Sequence, residues 1–366
     1  MGTPANVVVL PQDTSELRIE SLSLPDPGPH QVVVQQFASG VCHSQLHQMH
    51  RPRTYPVVLG HEATGIVLKK GSEVDHVDEG DTVLVTWVPR NTVASQRVPE
   101  VAVLEVSDGT ARSENVFTWA DHTICDEQYV VKVDPSIPTD VTAIIGCAVM
   151  TGAGAVINTA NVQAGDSVAV FGVGGVGLSA VVGAKVAGAA MIIAVDLDDE
   201  KLKFARAFGA THTINASLVD PVEAIHEMTR KEGIHDIMRQ PVSGADYTFD
   251  CIGIRTTMEQ IVPACRSGHF GAETGGTAVL VGVPGTPVEL NAIDVLINEK
   301  KFIGSIGGSC APDRDFPRFL EWHANGDLDL NAMITARYPI EEINAATTAL
   351  ESGQIQGRAI LEFSHD

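Results

Sequence analysis

Residues 167–196 leave this chain few ways to fold. They read Ser-Val-Ala-Val-Phe-Gly-Val-Gly-Gly-Val-Gly-Leu, continue through small residues to Gly188, and close on Met-Ile-Ile-Ala-Val-Asp. The apolar, β-branched run at 168–171 predicts a strand buried on both faces, and the small-residue run after it predicts a helix. Between them lies Gly172-x-Gly174-x-x-Gly177. In such a turn the first glycine permits the tight reversal, the second lets backbone approach a pyrophosphate, and the third lets helix pack on strand. Gly175 and Val176 open the helix, whose N–H groups face an anion. The second strand, 191–195, ends at Asp196, which lies 19 residues beyond Gly177. That is close to the ~20 expected of a ribose-binding carboxylate. A generic βαβ unit with an acidic loop is the competing reading, since the chain holds 34 glycines.

From residue 189 onward strand and helix alternate: helix at 199–208 stopped by Gly209, strand at 213–215, helix at 222–231, and strands near 247–251 and 278–283. This predicts an α/β unit, a doubly wound parallel sheet of the Rossmann type. Residues 6–132 read differently, as a β-rich segment punctuated by prolines and glycines, with a half-buried strand at 31–36. With 366 residues, 44% of them hydrophobic, the chain can build two domains. The expected division is a β-rich catalytic part at 1–148, the dinucleotide unit at 149–304, and a return to the catalytic part at 305–366. The segment 301–308 is read as that return, followed by two amphipathic helices and a terminal strand at 359–363.

Charge narrows the partners. Lys and Arg number 24 against 46 Asp and Glu, a formal net charge of −22, which repels nucleic-acid backbones and anionic lipid. No apolar run reaches membrane-spanning length, and the N-terminal residues lack a basic, apolar signal pattern. The six cysteines are scattered, which fits a reducing cytoplasm better than a disulfide framework.

The β-rich part also carries Gly40-Val-Cys42-His43-Ser44-Gln45-Leu46-His47, then Leu59-Gly-His61-Glu62-Ala-Thr-Gly65, and it closes on Gly146-Cys147-Ala-Val-Met-Thr151-Gly. A catalytic zinc takes three protein ligands and keeps a fourth position open, and cysteine and histidine suit it. Cys42, His61 and Cys147 are the candidates. Singly, each has a bland reading as a small buried hydrophobe or a hydrogen-bonded imidazole.

These segments, with the Gly-Val-Gly-Gly-Val-Gly fingerprint, resemble in order and spacing the zinc-dependent alcohol dehydrogenases of the medium-chain dehydrogenase/reductase superfamily, over nearly the whole chain. The resemblance implies a β-rich GroES-like catalytic domain beside the Rossmann domain, an NAD cofactor, and one catalytic zinc on Cys42, His61 and Cys147 with Glu62 behind it. It implies Ser44 and His47 as proton relay, His43 and Arg358 near the pyrophosphate, Thr151 against the nicotinamide and Lys201 at the ribose. Val281 and Val283 complete the expected cofactor contacts, and Leu46, Trp87 and Ile306 the substrate pocket. The expected reaction is hydride transfer between a medium or aromatic primary alcohol, or its aldehyde, and NAD, in a homodimer or homotetramer. An S-(hydroxymethyl)thiol dehydrogenase is the alternative activity. A metal-free quinone or enoyl reductase, or a non-catalytic relative, is the alternative of another class.

Two positions depart from the family pattern. Gln45 stands where an aspartate usually bonds the ligand histidine, and a neutral amide makes that imidazole less basic. The loop at 90–118, which in many relatives binds a structural zinc through four cysteines, contains none, so no structural zinc is expected there.

Overall fold

The computed structural model describes residues 2–90, 96–269 and 271–365; positions 91–95 of the loop just mentioned lie outside them. The chain divides into two units, Met1–Ala148 with Ala311–Asp366, and Val149–Cys310.

The first unit holds two sheets. One is built of β1 (Thr3–Leu10), β2 (Arg18–Leu24), β4 (Val57–Val58), β7 (Val103–Val106) and β8 (Gly109–Arg112), in the order β2-β1-β4-β8-β7. The other runs β10-β6-β5-β3-β18-β17, from β3 (Gln31–Val41), β5 (Ala63–Lys70), β6 (Thr82–Val85), β10 (Val130–Lys132), β17 (Ile334–Pro339) and β18 (Arg358–Glu362), with β9 (His122–Asp126) added beside β3. The long strand β3 organises this sheet. It pairs with β5 along one edge, and its other edge is shared by β9 at the start and β18 at the end. Its apolar residues at 32–34, 38 and 41 are buried, and the polar side chains buried with them are tied to backbone: Gln36 Nε2 donates to Ala120 O at 2.7 Å and Ser39 Oγ to Glu62 O at 2.9 Å, as buried polar groups require. Trp119, wholly buried, packs with Val41, Met49 and Leu361, and its indole N–H donates to Gly40 O at 3.1 Å.

The second unit is a six-stranded sheet in the order β13-β12-β11-β14-β15-β16, every pair parallel. Its strands are β11 (Ser167–Phe171), β12 (Met191–Asp196), β13 (His212–Asn215), β14 (Tyr247–Asp250), β15 (Thr277–Leu280) and β16 (Lys301–Gly304). This is the doubly wound order, with the switch point at β11 and β14. The helix Asp199–Phe208 starts where Asp198 accepts the Glu200 N–H at 2.8 Å and stops at Gly209, as its sequence signals require.

Two expectations about this unit need correction. The strand read at 278–283 ends at Leu280, because the N–H groups of Val281 and Gly282 turn back to Asp250 O. The segment 301–308, read as a return to the first domain, begins with the sixth strand of this sheet. Lys-Phe-Ile-Gly carries too little alternation to announce an edge strand.

Candidate active site

Three chain segments of the first unit bring the candidate ligands together. Cys42 follows β3 directly and precedes the helix His43–His50. His61 and Glu62 occupy the two positions before β5. Cys147 follows the 3-10 turn Val141–Gly146, which Thr86 pins to the end of β6 by donating its hydroxyl to Gly146 O at 2.7 Å. The donor atoms of Cys42, His61 and Cys147 lie within 4.8 Å of one another, with the two sulfurs 3.9 Å apart.

The atoms around these ligands show what the cluster fits. His61 Nε2 is buried without a hydrogen-bond partner, and so is Ser44 Oγ. Buried polar atoms are seldom left unpaired, and an imidazole nitrogen facing two thiols is the donor set of a catalytic zinc. Beneath it Glu62 is wholly buried: Oε2 accepts the Ala148 N–H at 3.3 Å and Oε1 accepts from Arg358 Nη2. Gly40 makes room for that carboxylate, since a Cβ there would sit 2.1 Å from Glu62 Oε1.

Charge in the cluster is unevenly held. Cys42 lies well below the ordinary thiol range because the Cys147 thiol donates to it and the Arg358 guanidinium adds positive charge, against the opposing effect of burial. Cys147 is pushed up correspondingly, as that donor and by burial beside the Cys42 thiolate. Burial raises Glu62, with Arg358 opposing. A divalent cation would let both thiols ionise. Two thiolates and a neutral imidazole around a 2+ ion sum to zero, as do Glu62 and Arg358. The residues fit zinc.

Gln45 meets both ligand segments. Its Oε1 accepts the Cys42 N–H at 3.0 Å, which caps the following helix, and its Nε2 lies 2.5 Å from His61 Nδ1. Trp87 packs on the core cluster around Val83 and Val85, its ring 6.3 Å from that of His61 and its indole N–H buried without a partner. His43 and His47 are exposed on the helix that carries Ser44.

Other assigned residues fall differently. Leu46, assigned to the substrate pocket, is 6% exposed and packs in the core with Trp119 and Ile343, because that face of the helix turns inward. Arg358, assigned to the pyrophosphate, is 4% exposed with its guanidinium against Glu62, and its Nε has no partner. The two residues are 296 positions apart, so no local pattern announces their pairing.

The second unit holds the assigned cofactor residues apart from His43 and Arg358. A Cβ on Gly177 would lie 1.8 Å from Gly172 O, so helix and turn close only around glycine, whereas a Cβ on Gly174 would meet no protein atom within 4 Å. That open space in front of the helix Gly175–Val186 is where a phosphate approaches in such a turn. Asp196 is held by backbone: Oδ2 accepts the Val173 N–H at 3.0 Å and Oδ1 the Leu197 N–H at 2.8 Å. Thr151 Oγ1 is buried and unpaired. Lys201 is half-buried on the next helix, Val281 is buried, and Val283 and Ile306 are exposed.

Comparison with known proteins agrees with this layout. Residues 28–135 match the alcohol dehydrogenase GroES-like domain and residues 175–325 the zinc-binding dehydrogenase domain. A class-3 alcohol dehydrogenase of Cereibacter sphaeroides is 32% identical over 97% of this chain and 98% of its own length. One from Caenorhabditis elegans is 31% identical over 95% and 94%. The crystal structure of benzyl alcohol dehydrogenase from Acinetobacter calcoaceticus superposes with a TM-score of 0.84 at 27% identity, covering 99% of this chain and 100% of that one. The chain belongs to the zinc-type alcohol dehydrogenases of the medium-chain dehydrogenase/reductase superfamily. It is an oxidoreductase acting on alcohols, with a GroES-like part and a Rossmann unit. Among the described residues no helix is long and apolar enough to cross a membrane.

Proposed function

We propose that the protein is a zinc- and NAD-dependent dehydrogenase that interconverts medium or aromatic primary alcohols and their aldehydes. The observation that carries the reading is the convergence of Cys42, His61 and Cys147 around a buried, unpaired imidazole nitrogen. When bound, zinc supplies a Lewis acid that lowers the pKa of an alcohol, and the nicotinamide supplies the hydride acceptor.

The chain's own residues do the rest. Cys42, His61 and Cys147 hold the metal, with Glu62 and Arg358 as a fixed, neutral base beneath it. Ser44, whose hydroxyl has no partner inside the protein, accepts the alcohol proton as it passes its own on towards His47, which is exposed on the same helix and releases it to water. Asp196 selects the unphosphorylated ribose, since a 2′-phosphate would meet its carboxylate. Trp87, beside His61, presents an aromatic face suited to a planar substituent. A metal-free reductase would have no use for two thiols and an imidazole aimed at one point.

The test combines elemental analysis with turnover of an alcohol panel in NAD. The parent is expected to hold one tightly bound zinc and to oxidise benzyl alcohol. Cys147→Ser is expected to lose both zinc and turnover while its circular dichroism stays unchanged. Turnover by a zinc-free parent would overturn the assignment.

A further inference from the structure

A second group of donor atoms converges in the first unit, and none of its members belongs to the site described above. Asp75, His76 and Glu127 place their ligand atoms within 4.8 Å of one another.

The decisive residue is His76. Its Nε2 lies 3.1 Å from Val130 O. A carbonyl can only accept, so Nε2 carries the proton and Nδ1 of the neutral ring keeps its lone pair. That lone pair is buried and has no hydrogen-bond partner, yet it lies 3.3 Å from Glu127 Oε2. Two acceptors facing each other at such a distance repel, and either a proton or a cation between them resolves the conflict.

Glu127 is prepared from its other side. Oε1 accepts from Arg97 Nη2 at 3.3 Å and lies 3.1 Å from His30 Nδ1. The carboxylate is thereby fixed with Oε2 towards His76. Its backbone N–H donates to His30 O at 2.9 Å, which anchors the turn itself. Asp75, exposed, adds a second carboxylate from the solvent side. A histidine whose far nitrogen donates to a backbone carbonyl and a carboxylate oriented by its own partners are the supports that metal ligands ordinarily have.

We propose that Asp75, His76 and Glu127 form a second metal site that binds a divalent transition-metal ion of the zinc class through His76 Nδ1 and one oxygen from each carboxylate. An imidazole with carboxylates favours such an ion over magnesium or calcium, which take all-oxygen shells. Lacking thiolates and open to water at Asp75, this site is the weaker of the two. It adds an ion to the single catalytic zinc expected from the sequence and needs no cysteine.

The test counts zinc on the full chain by equilibrium dialysis and repeats the titration with Co2+, whose thiolate charge-transfer absorption marks the Cys42–Cys147 site alone. The parent is expected to take up two ions, the weaker one silent in that absorption, and Cys147→Ser is expected to retain the silent ion. Asp75→Asn, at an exposed position, and His76→Gln, which keeps a donor for Val130 O, are each expected to weaken the silent site by about tenfold or more while the thiolate site titrates as before. A parent that saturates with one ion, or a silent ion whose affinity is unchanged in either variant, would overturn the proposal.

Discussion

Gln45→Glu is expected to tighten zinc binding, although it places a carboxylate at a position with no solvent exposure. The reason lies in what one amide can accept. Oε1 is taken by the Cys42 N–H at 3.0 Å, which leaves the NH2 group 2.5 Å from His61 Nδ1. If His61 ligates through its unpaired Nε2, a neutral ring carries its proton on Nδ1, and that N–H then points at an N–H2. Turning the amide over satisfies His61 but sets the same conflict against Cys42. A carboxylate of the same length accepts from both, through one oxygen each. Partners that orient a ligand histidine are worth 10–100-fold in metal affinity, so a gain of about 1.4–2.7 kcal/mol is expected.

The zinc-free chain should respond oppositely. There the new charge keeps the Cys42 N–H and the His61 ring as hydrogen-bond partners but has no metal cation to balance it, and a buried charge without that compensation is destabilising. The assay is chelator competition for zinc at fixed pH, with urea unfolding of the loaded and zinc-free protein measured alongside. Gln45→Leu is the control that removes both bonds and should release zinc faster than the parent. Zinc affinity in Gln45→Glu equal to or below that of the parent would refute the two-donor reasoning.

Other expectations can be checked separately. The parent should use NAD in strong preference to NADP, and Asp196→Asn, which keeps one acceptor for the backbone N–H groups, should narrow the ratio of catalytic efficiencies because the like-charge contact is gone. Trp87→Ala should lower the benzyl alcohol to ethanol ratio by about two- to tenfold, the equivalent of ~0.5–1.5 kcal/mol of stacking; an unchanged ratio would remove Trp87 from the pocket. Gly177→Ala should destabilise the Rossmann unit by about 1–3 kcal/mol or more and weaken NAD binding, since its methyl would lie 1.8 Å from Gly172 O in an already filled turn. His226 is held below the ordinary imidazole range by burial, so the unfolded chain binds its proton more readily than the native one. Its contribution is therefore intact above the unfolded pKa of about 6.5 and is lost as pH falls below it. His226→Gln should flatten that part of the urea midpoint against pH.

What the sequence made legible follows from the range over which each signal acts. The strand, turn and helix around Gly172, Gly174 and Gly177 were readable because steric needs one turn apart leave only glycine. The three zinc candidates were readable from the family pattern, and their meeting point needed the fold. Leu46 shows the limit of such signals, because pocket and core ask for the same apolar side chain and only the direction of the helix face, which turns it towards Trp119 and Ile343, separates them. Strand β16 was missed because an edge strand exposed to water carries no strong hydrophobic pattern. The double demand on Gln45 was visible only as an unusual residue, since the Cys42 N–H that competes for its oxygen belongs to the backbone. The Asp75, His76 and Glu127 group was invisible for a related cause: its key feature is the carbonyl that fixes a tautomer.

The bond between Arg358 and Glu62 has a consequence for the order in which the protein is made. Glu62 leaves the ribosome early, but the cation that neutralises it sits on β18, which also supplies the partner edge for the end of β3. Until residues 358–362 emerge, the metal cluster rests on an uncompensated buried acid and an open sheet edge. The Rossmann unit, contiguous from Val149 to Cys310, contains all six of its strands and can close its sheet before the catalytic part is complete. A stop codon or proteolytic nick shortly before residue 358 should therefore leave a chain that still folds its dinucleotide unit yet cannot retain zinc, and whose exposed β3 edge recruits other chains.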